Sequence, residues 1–176
     1  IDAVFAGTEN NGFGNKDLRV PESCLWTAGS LLAASRWALQ YPAVPGCSPT
    51  SGFPHANYKF CGGYCTFNGI MAVVAKPLLE NPAPETGTLD CDMHYGDGTA
   101  DILDRKPQPN VMHRTAGKFF LGDDVGSESL EFFAWLNHSI EELNDFGCDL
   151  VIYQAGADQH VNDPLGGILN SAEMAQ

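Results

Sequence analysis

The strongest constraint on the fold is a helix that runs straight into a strand. Ser127 is a good N-cap for a helix whose core, SLEFFAWLNHSIEELNDF, carries apolar residues at helical spacing to Phe146. Gly147 stands where a helix ends in a left-handed residue. LVIY (150–153) follows, an unbroken apolar run of strand length that reads as a buried strand, and Gly-Ala-Asp turns the chain out of it. The same alternation precedes it. Pro21 and Ser23 open a helix to about Tyr41, with Leu25, Leu32 and Leu39 on one face and Pro42 as its stop. FNGIMAVVAKPLLE (67–80) predicts a second helix bent at Pro77. Thr88–Met93 predicts a strand, Thr99–Asp104 a brief helix and Asn110–Arg114 a further strand. Residues 1–20, with GTENNGFGN, and 42–66, with four prolines and four glycines, read as loops. This pattern predicts an α/β fold with a mainly parallel sheet.

A length of 176 residues suits one domain, 1–176, with a sizeable core. The formal charge of -13 repels phosphate backbones, and no basic stripe offers a nucleic-acid surface. Such a surface attracts polyamines or lysine-rich peptides, although solubility alone explains many acidic proteins. No run approaches the roughly 20 apolar residues of a membrane helix, and no signal peptide is evident. The chain opens on Ile1 rather than Met, so something upstream is expected to be missing or removed. The six cysteines lack the spacing of a zinc knuckle, Cys61 and Cys65 being the only close pair, and reduced thiols in a cytoplasmic protein are expected.

The chemistry gathers at the ends of the expected strands, where open parallel sheets bind ligands. In an extended chain Asp90, Asp92 and His94 share a face. Three ionisable groups on one side of a strand end are costly to desolvate without a cation among them, the alternative being a solvated acidic loop. Asp158, after LVIYQAGA, is either a helix cap or a further ligand. One imidazole and two carboxylates fit zinc, iron(II) or cobalt with positions left open. His55 in SGFPHA, oriented by a carboxylate such as Asp97, has the arrangement of a general base, or else is a loop residue contacting nothing in particular. His113 and His138 suit packing or surface roles, and His160 is undecided.

Four blocks, SGFPHA (51–56), GGYCTFN (62–68), LDCDMHYGDGT (89–99) and GADQHVNDPLGG (156–167), together resemble the histone deacetylase and acetylpolyamine amidohydrolase superfamily, in its order. The resemblance implies a three-layer αβα arginase/deacetylase-like fold, reduced in size. It implies Asp92, His94 and Asp158 as ligands of one divalent metal, zinc first, with iron(II) or cobalt as alternatives. It also implies His55 with Asp97 as the proton-transfer pair, Gly63 and Tyr64 as substrate-tunnel positions, and Asp90 as part of a structural potassium site. The implied reaction is hydrolysis of an acylated amine, such as acetyl-lysine in a peptide or an acetylpolyamine.

The sequence departs from the family pattern in three places. Pro54 stands where the family has the first of two adjacent histidines, and the stretch from His94 to Asp158 is short. No counterpart of the family's catalytic tyrosine is found, the chain stopping 18 residues past Asp158. Loss of one such oxyanion donor costs on the order of 10²–10³ in rate. A weak deacetylase is therefore expected, either as a fragment or as a minimal relative. The alternatives are an impaired metal-binding relative that holds an acyl or carboxylate ligand, and an arginase-like hydrolase, which needs a second metal. An exposed sheet edge would be covered by homo-oligomerisation.

Overall fold

Among the described residues, two helices of 22 residues and three short strands organise the fold. The structure is a computed structural model that describes residues 1–50, 53–75, 83–118, 125–165 and 167–176, with 125–128 as backbone only. In chain order the elements are α1 (Asp2–Phe5), α2 (Arg19–Gln40), α3 (Gly69–Ala75), β1 (Thr86–Asp90), α4 (Asp97–Arg105), β2 (Val111–Thr115), α5 (Val125–Phe146) and β3 (Leu150–Gln154). They fall into two compact units, Ile1–Pro84 with Asp97–Val111, and Glu85–Gly96 with Met112–Gln176.

In the first unit, α3 packs against α2 and α4. Phe53, Cys65, Ile70, Val73 and Val74 are buried. Asn68 precedes α3 and accepts the Met71 N–H at 2.9 Å, so the helix starts behind an asparagine cap rather than at Phe67. Residues 76–80, with the expected bend at Pro77, lie outside the described residues. The face expected for α2 is only partly buried: Leu25 is 56% exposed, and Pro21 and Ser35 are the buried positions. Residues 1–20 contain the short α1, and beyond it the turns are held by Asn11, whose amide reaches Asn15 Oδ1 at 2.6 Å and the Asp17 carbonyl at 3.2 Å.

In the second unit the strand order is β2-β1-β3. β1 and β3 are parallel, in register from Thr86 opposite Leu150 to Asp90 opposite Gln154. β1 is buried throughout, as a central strand should be. β3 corrects the expectation of full burial: Leu150 and Ile152 are inside while Val151 and Tyr153 face out, because successive side chains of a strand point to opposite faces and the face of Val151 and Tyr153 is left open. Leu89, Cys91, Phe132, Leu143, Ile168 and Leu169 share one apolar core. α5 begins at Val125, two residues before the expected cap Ser127, whose side chain is not described. It ends as the sequence predicts, with Gly147 at φ 77, its N–H on the Asn144 carbonyl and that of Cys148 on the Leu143 carbonyl, a Schellman closure.

β1 stops at Asp90 and does not continue to Met93. Asp90 Oδ1 accepts the Asp92 N–H at 3.3 Å and Asp92 Oδ1 accepts the His94 N–H at 2.7 Å. Two successive side-chain turns of this kind divert the backbone from the sheet ladder. The three residues therefore do not share a strand face, and a turn brings them together instead. All six cysteines are free thiols, and burial pushes that of Cys91 up to about 12. No helix among the described residues is long and apolar enough to cross a membrane.

Candidate active site

Because β1 and β3 are parallel and in register, the segments leaving their carboxyl ends start side by side, one carrying Asp92 and His94 and the other Asp158. One ligand atom from each of these three residues lies within 4.8 Å of the others. His94 Nδ1 is 3.0 Å from Asp92 Oδ1 and 2.7 Å from Asp158 Oδ2. The Met93 N–H donates to Asp158 Oδ1 at 3.2 Å, stitching the two segments together. Gly156 closes the cluster from behind. A Cβ there would lie 2.6 Å from Asp92 Oδ2 and 2.7 Å from Asp158 Oδ1, so any side chain would displace the carboxylates.

The electrostatics of this cluster are under strain. Burial, and then the charge of Asp92, holds the Asp158 carboxyl above its ordinary range. Burial works to lower His94, but the hydrogen bonds and charges of Asp92 and Asp158 outweigh it and raise the imidazole above its usual value. Asp90 lies beneath with no exposed surface, and burial followed by the charge of Asp92 pushes its carboxyl up to about 7. Thr115 donates to Asp90 Oδ2 at 3.4 Å and accepts the Gly96 N–H at 3.1 Å, tying the turn to the end of β2. A divalent cation is the simplest relief for carboxylates gathered in this way, and the donor set of one imidazole nitrogen and two carboxylate oxygens fits one.

The second candidate group belongs to the first unit. His55 Nδ1 lies 2.8 Å from Asp97 Oδ1, as the sequence predicts. Asp97 stands at the start of α4, where the helix dipole favours a carboxylate. The His55 loop is latched from below. Asn68 Nδ2 donates to the carbonyls of Pro54 at 3.3 Å and Ala56 at 3.2 Å, and lies 3.0 Å from Thr99 Oγ1. The Thr99 N–H donates to the same Pro54 carbonyl at 3.0 Å. Gly98 permits this approach, since a Cβ would meet the Pro54 carbonyl oxygen at 2.5 Å. Gly63 and Tyr64 form the two central positions of a tight turn between Gly62 and Cys65, both with positive φ, 56 and 58. Gly63 packs directly on His55, while Tyr64 projects into solvent.

The remaining histidines have other work. His113 Nδ1 lies 2.6 Å from Thr88 Oγ1, and burial pushes its pKa down to about 4. His138 lies 3.6 Å from Glu142 on α5. His160 accepts the Asn162 N–H and contacts Ser171 at 2.9 Å. Sequence reading missed Asn68, Gly98, Thr115 and Gly156. Only Asn68, an asparagine directly before an apolar helical run, carries a local signal.

A model of the histone deacetylase domain matches residues 17–124, more than half of the chain. The chain belongs to the histone deacetylase family. Among proteins similar to it are a probable deacetylase of Methanothermobacter thermautotrophicus, 28% identical over 97% of this chain and 59% of that one, and the acetylpolyamine amidohydrolase of Mycoplana ramosa, 27% identical over 63% of this chain and 39% of that one. An acetylpolyamine aminohydrolase from Burkholderia pseudomallei superposes with a TM-score of 0.64 over 89% of this chain and 51% of its own, at 20% identity. That likeness establishes the arginase/deacetylase type of α/β fold. The histone-deacetylase-family chain described here thus spans about half the length of several proteins it matches.

Proposed function

We propose that this chain carries the metal-binding part of a deacetylase-type amidohydrolase that cleaves an acylated amine. The reading rests on one observation, the convergence of Asp92, His94 and Asp158 at the carboxyl ends of adjacent parallel strands. These three residues would hold one divalent ion, with zinc favoured by the imidazole-carboxylate donor set and iron(II) or cobalt compatible with it. When bound, such an ion supplies Lewis-acid activation of the acyl carbonyl and of water. Asp97, hydrogen-bonded at Nδ1 of His55, selects the tautomer whose Nε2 accepts a proton, and it stabilises the imidazolium that results. With Pro54 in place of the family's first histidine, this one imidazole does the proton transfer. Gly63 and Tyr64 would contact the acyl-amine chain, and Asp90 would contribute to a structural potassium site. The charge of -13 suits a cationic substrate such as an acetylpolyamine or acetyl-lysine peptide.

The test is hydrolysis of acetylputrescine and of a fluorogenic acetyl-lysine peptide by protein reconstituted with zinc, iron(II) or cobalt. The expected result is metal-dependent turnover that Asp92→Ala abolishes and His55→Ala lowers by roughly 10²–10⁴. Fully metallated protein without turnover on either substrate would overturn the hydrolase reading, and turnover indifferent to His55→Ala would overturn the base.

A further inference from the structure

Phe13 has no role in the sequence reading, yet it is a partly exposed ring on a loop held by a buried side chain. Its ring stands 5.8 Å from that of Tyr64 in an edge-on arrangement. Phe13 is 43% exposed and Tyr64 73%, so neither ring serves the core. Tyr64 holds φ 58 at the second position of its turn, a conformation that glycine or asparagine adopts more cheaply. An aromatic residue kept there without burial points to a contact outside the fold.

The loop carrying Phe13 is fixed to that same turn. Asn11, only 1% exposed, accepts the Phe13 N–H at 3.0 Å on its side chain and the Thr66 hydroxyl at 2.6 Å on its carbonyl. Gly12 lies so close to the backbone of Cys65 that a Cβ would meet the Cys65 carbonyl oxygen at 2.4 Å. Lys16, the cation of this loop, is turned back onto the Thr8 carbonyl at 2.6 Å and does not occupy the rings. The loops that carry the two exposed rings are thus joined through the buried Asn11, on a chain whose net charge attracts cations.

We propose that Phe13 and Tyr64 form a two-ring recognition site for the alkylammonium end of an acylated amine, and that Phe13 selects cationic over neutral substrates. The ring faces attract an ammonium group and the methylenes before it cover the apolar edges. The inference rests on the proposed function in taking an acylated amine as ligand, but its readout is binding and needs no turnover.

The test is isothermal titration of the full chain with acetylputrescine and with N-butylacetamide, a neutral probe of the same acyl group and similar length. Phe13→Leu is expected to weaken acetylputrescine about fivefold and N-butylacetamide less than about twofold, and Phe13→Tyr to restore the preference. Equal weakening of both probes would make Phe13 a plain apolar wall and overturn the proposal. So would an unchanged preference in Phe13→Leu, or no binding of acetylputrescine to the unmodified chain. Since Phe13→Leu could disturb its loop, the Phe13→Tyr result decides between lost folding and lost recognition. Failure here with metal-dependent turnover intact would leave the hydrolase reading standing, whereas selective binding without turnover would reverse that outcome.

Discussion

The two units hold their reactive groups by opposite means. In the second unit, charged side chains are gathered from two strand ends: the carboxylates of Asp92, Asp158 and the buried Asp90 repel one another, and His94 lies between the first two. In the first unit, the reactive pair is simple and its support is elaborate. His55 Nδ1 and Asp97 Oδ1 meet at 2.8 Å, while the loop beneath is latched through Asn68, Thr99 and the close approach of Gly98. Charge gathered at a cost calls for a counter-ion, whereas a histidine loop latched through its backbone carbonyls, proposed to carry the base, calls for rigidity. The first arrangement should respond to metal, the second to loss of its latch.

Breaking the charge cluster should have the largest effect. Asp92→Ala or Asp158→Ala is expected to weaken divalent-metal affinity by more than the roughly 10–100-fold that losing an outer-shell partner costs. Gly156→Ala, which touches no ligand bond, should weaken it at least about tenfold by pushing the carboxylates apart. Equilibrium dialysis reads both. Normal uptake by Gly156→Ala would show that the cluster is not shaped as described.

Breaking the latch should cost stability. Asn68→Ala leaves the Pro54 and Ala56 carbonyls, Thr99 and the Met71 N–H short of a partner, and about 2–4 kcal/mol is expected in denaturant unfolding. A loss below about 1 kcal/mol would mean that the loop is held by something else.

A buried histidine sharpens the comparison within the second unit. His113 is pushed down to about 4 from an ordinary 6.5, so the folded state favours its neutral form. Its contribution is complete above pH 6.5 and is lost as the pH falls towards 4, up to about 3 kcal/mol in all. Asp90, raised to about 7, acts in the opposite sense in both proteins, so the readout is the stability difference between the unmodified chain and His113→Asn, which should shrink as the pH falls through that window. The smallest effect concerns architecture alone: Gly147→Ala, which puts a side chain at φ 77, should cost about 1 kcal/mol.

What the sequence made legible was whatever local chemistry decides. The run from α5 through Gly147 into β3 follows from helical spacing, a left-handed closure and an apolar strand, and the structure agrees to within a few residues. The end of β1 was misread because Asp-x-Asp-x-His alternates like a strand, while the aspartate side chains capture backbone N–H groups two residues on and bend it. The site residues were visible as residue types in order. Their support was not, because Gly98 and Thr115 matter through residues far along the chain, and Gly156 through distant Asp92 as well as nearby Asp158. Phe13 was hidden for the same reason, its partner Tyr64 lying in another loop.

The central claim is that Asp92, His94 and Asp158 form one metal site, and calorimetric titration of zinc into the metal-free chain tests it most directly. With Asp158 and His94 both held above their ordinary values, binding should displace protons and weaken as the pH falls. The account predicts one ion per chain, proton release that varies with buffer ionisation heat, and loss of binding in Asp92→Ala. No uptake, or uptake that Asp92→Ala leaves unchanged, would contradict it.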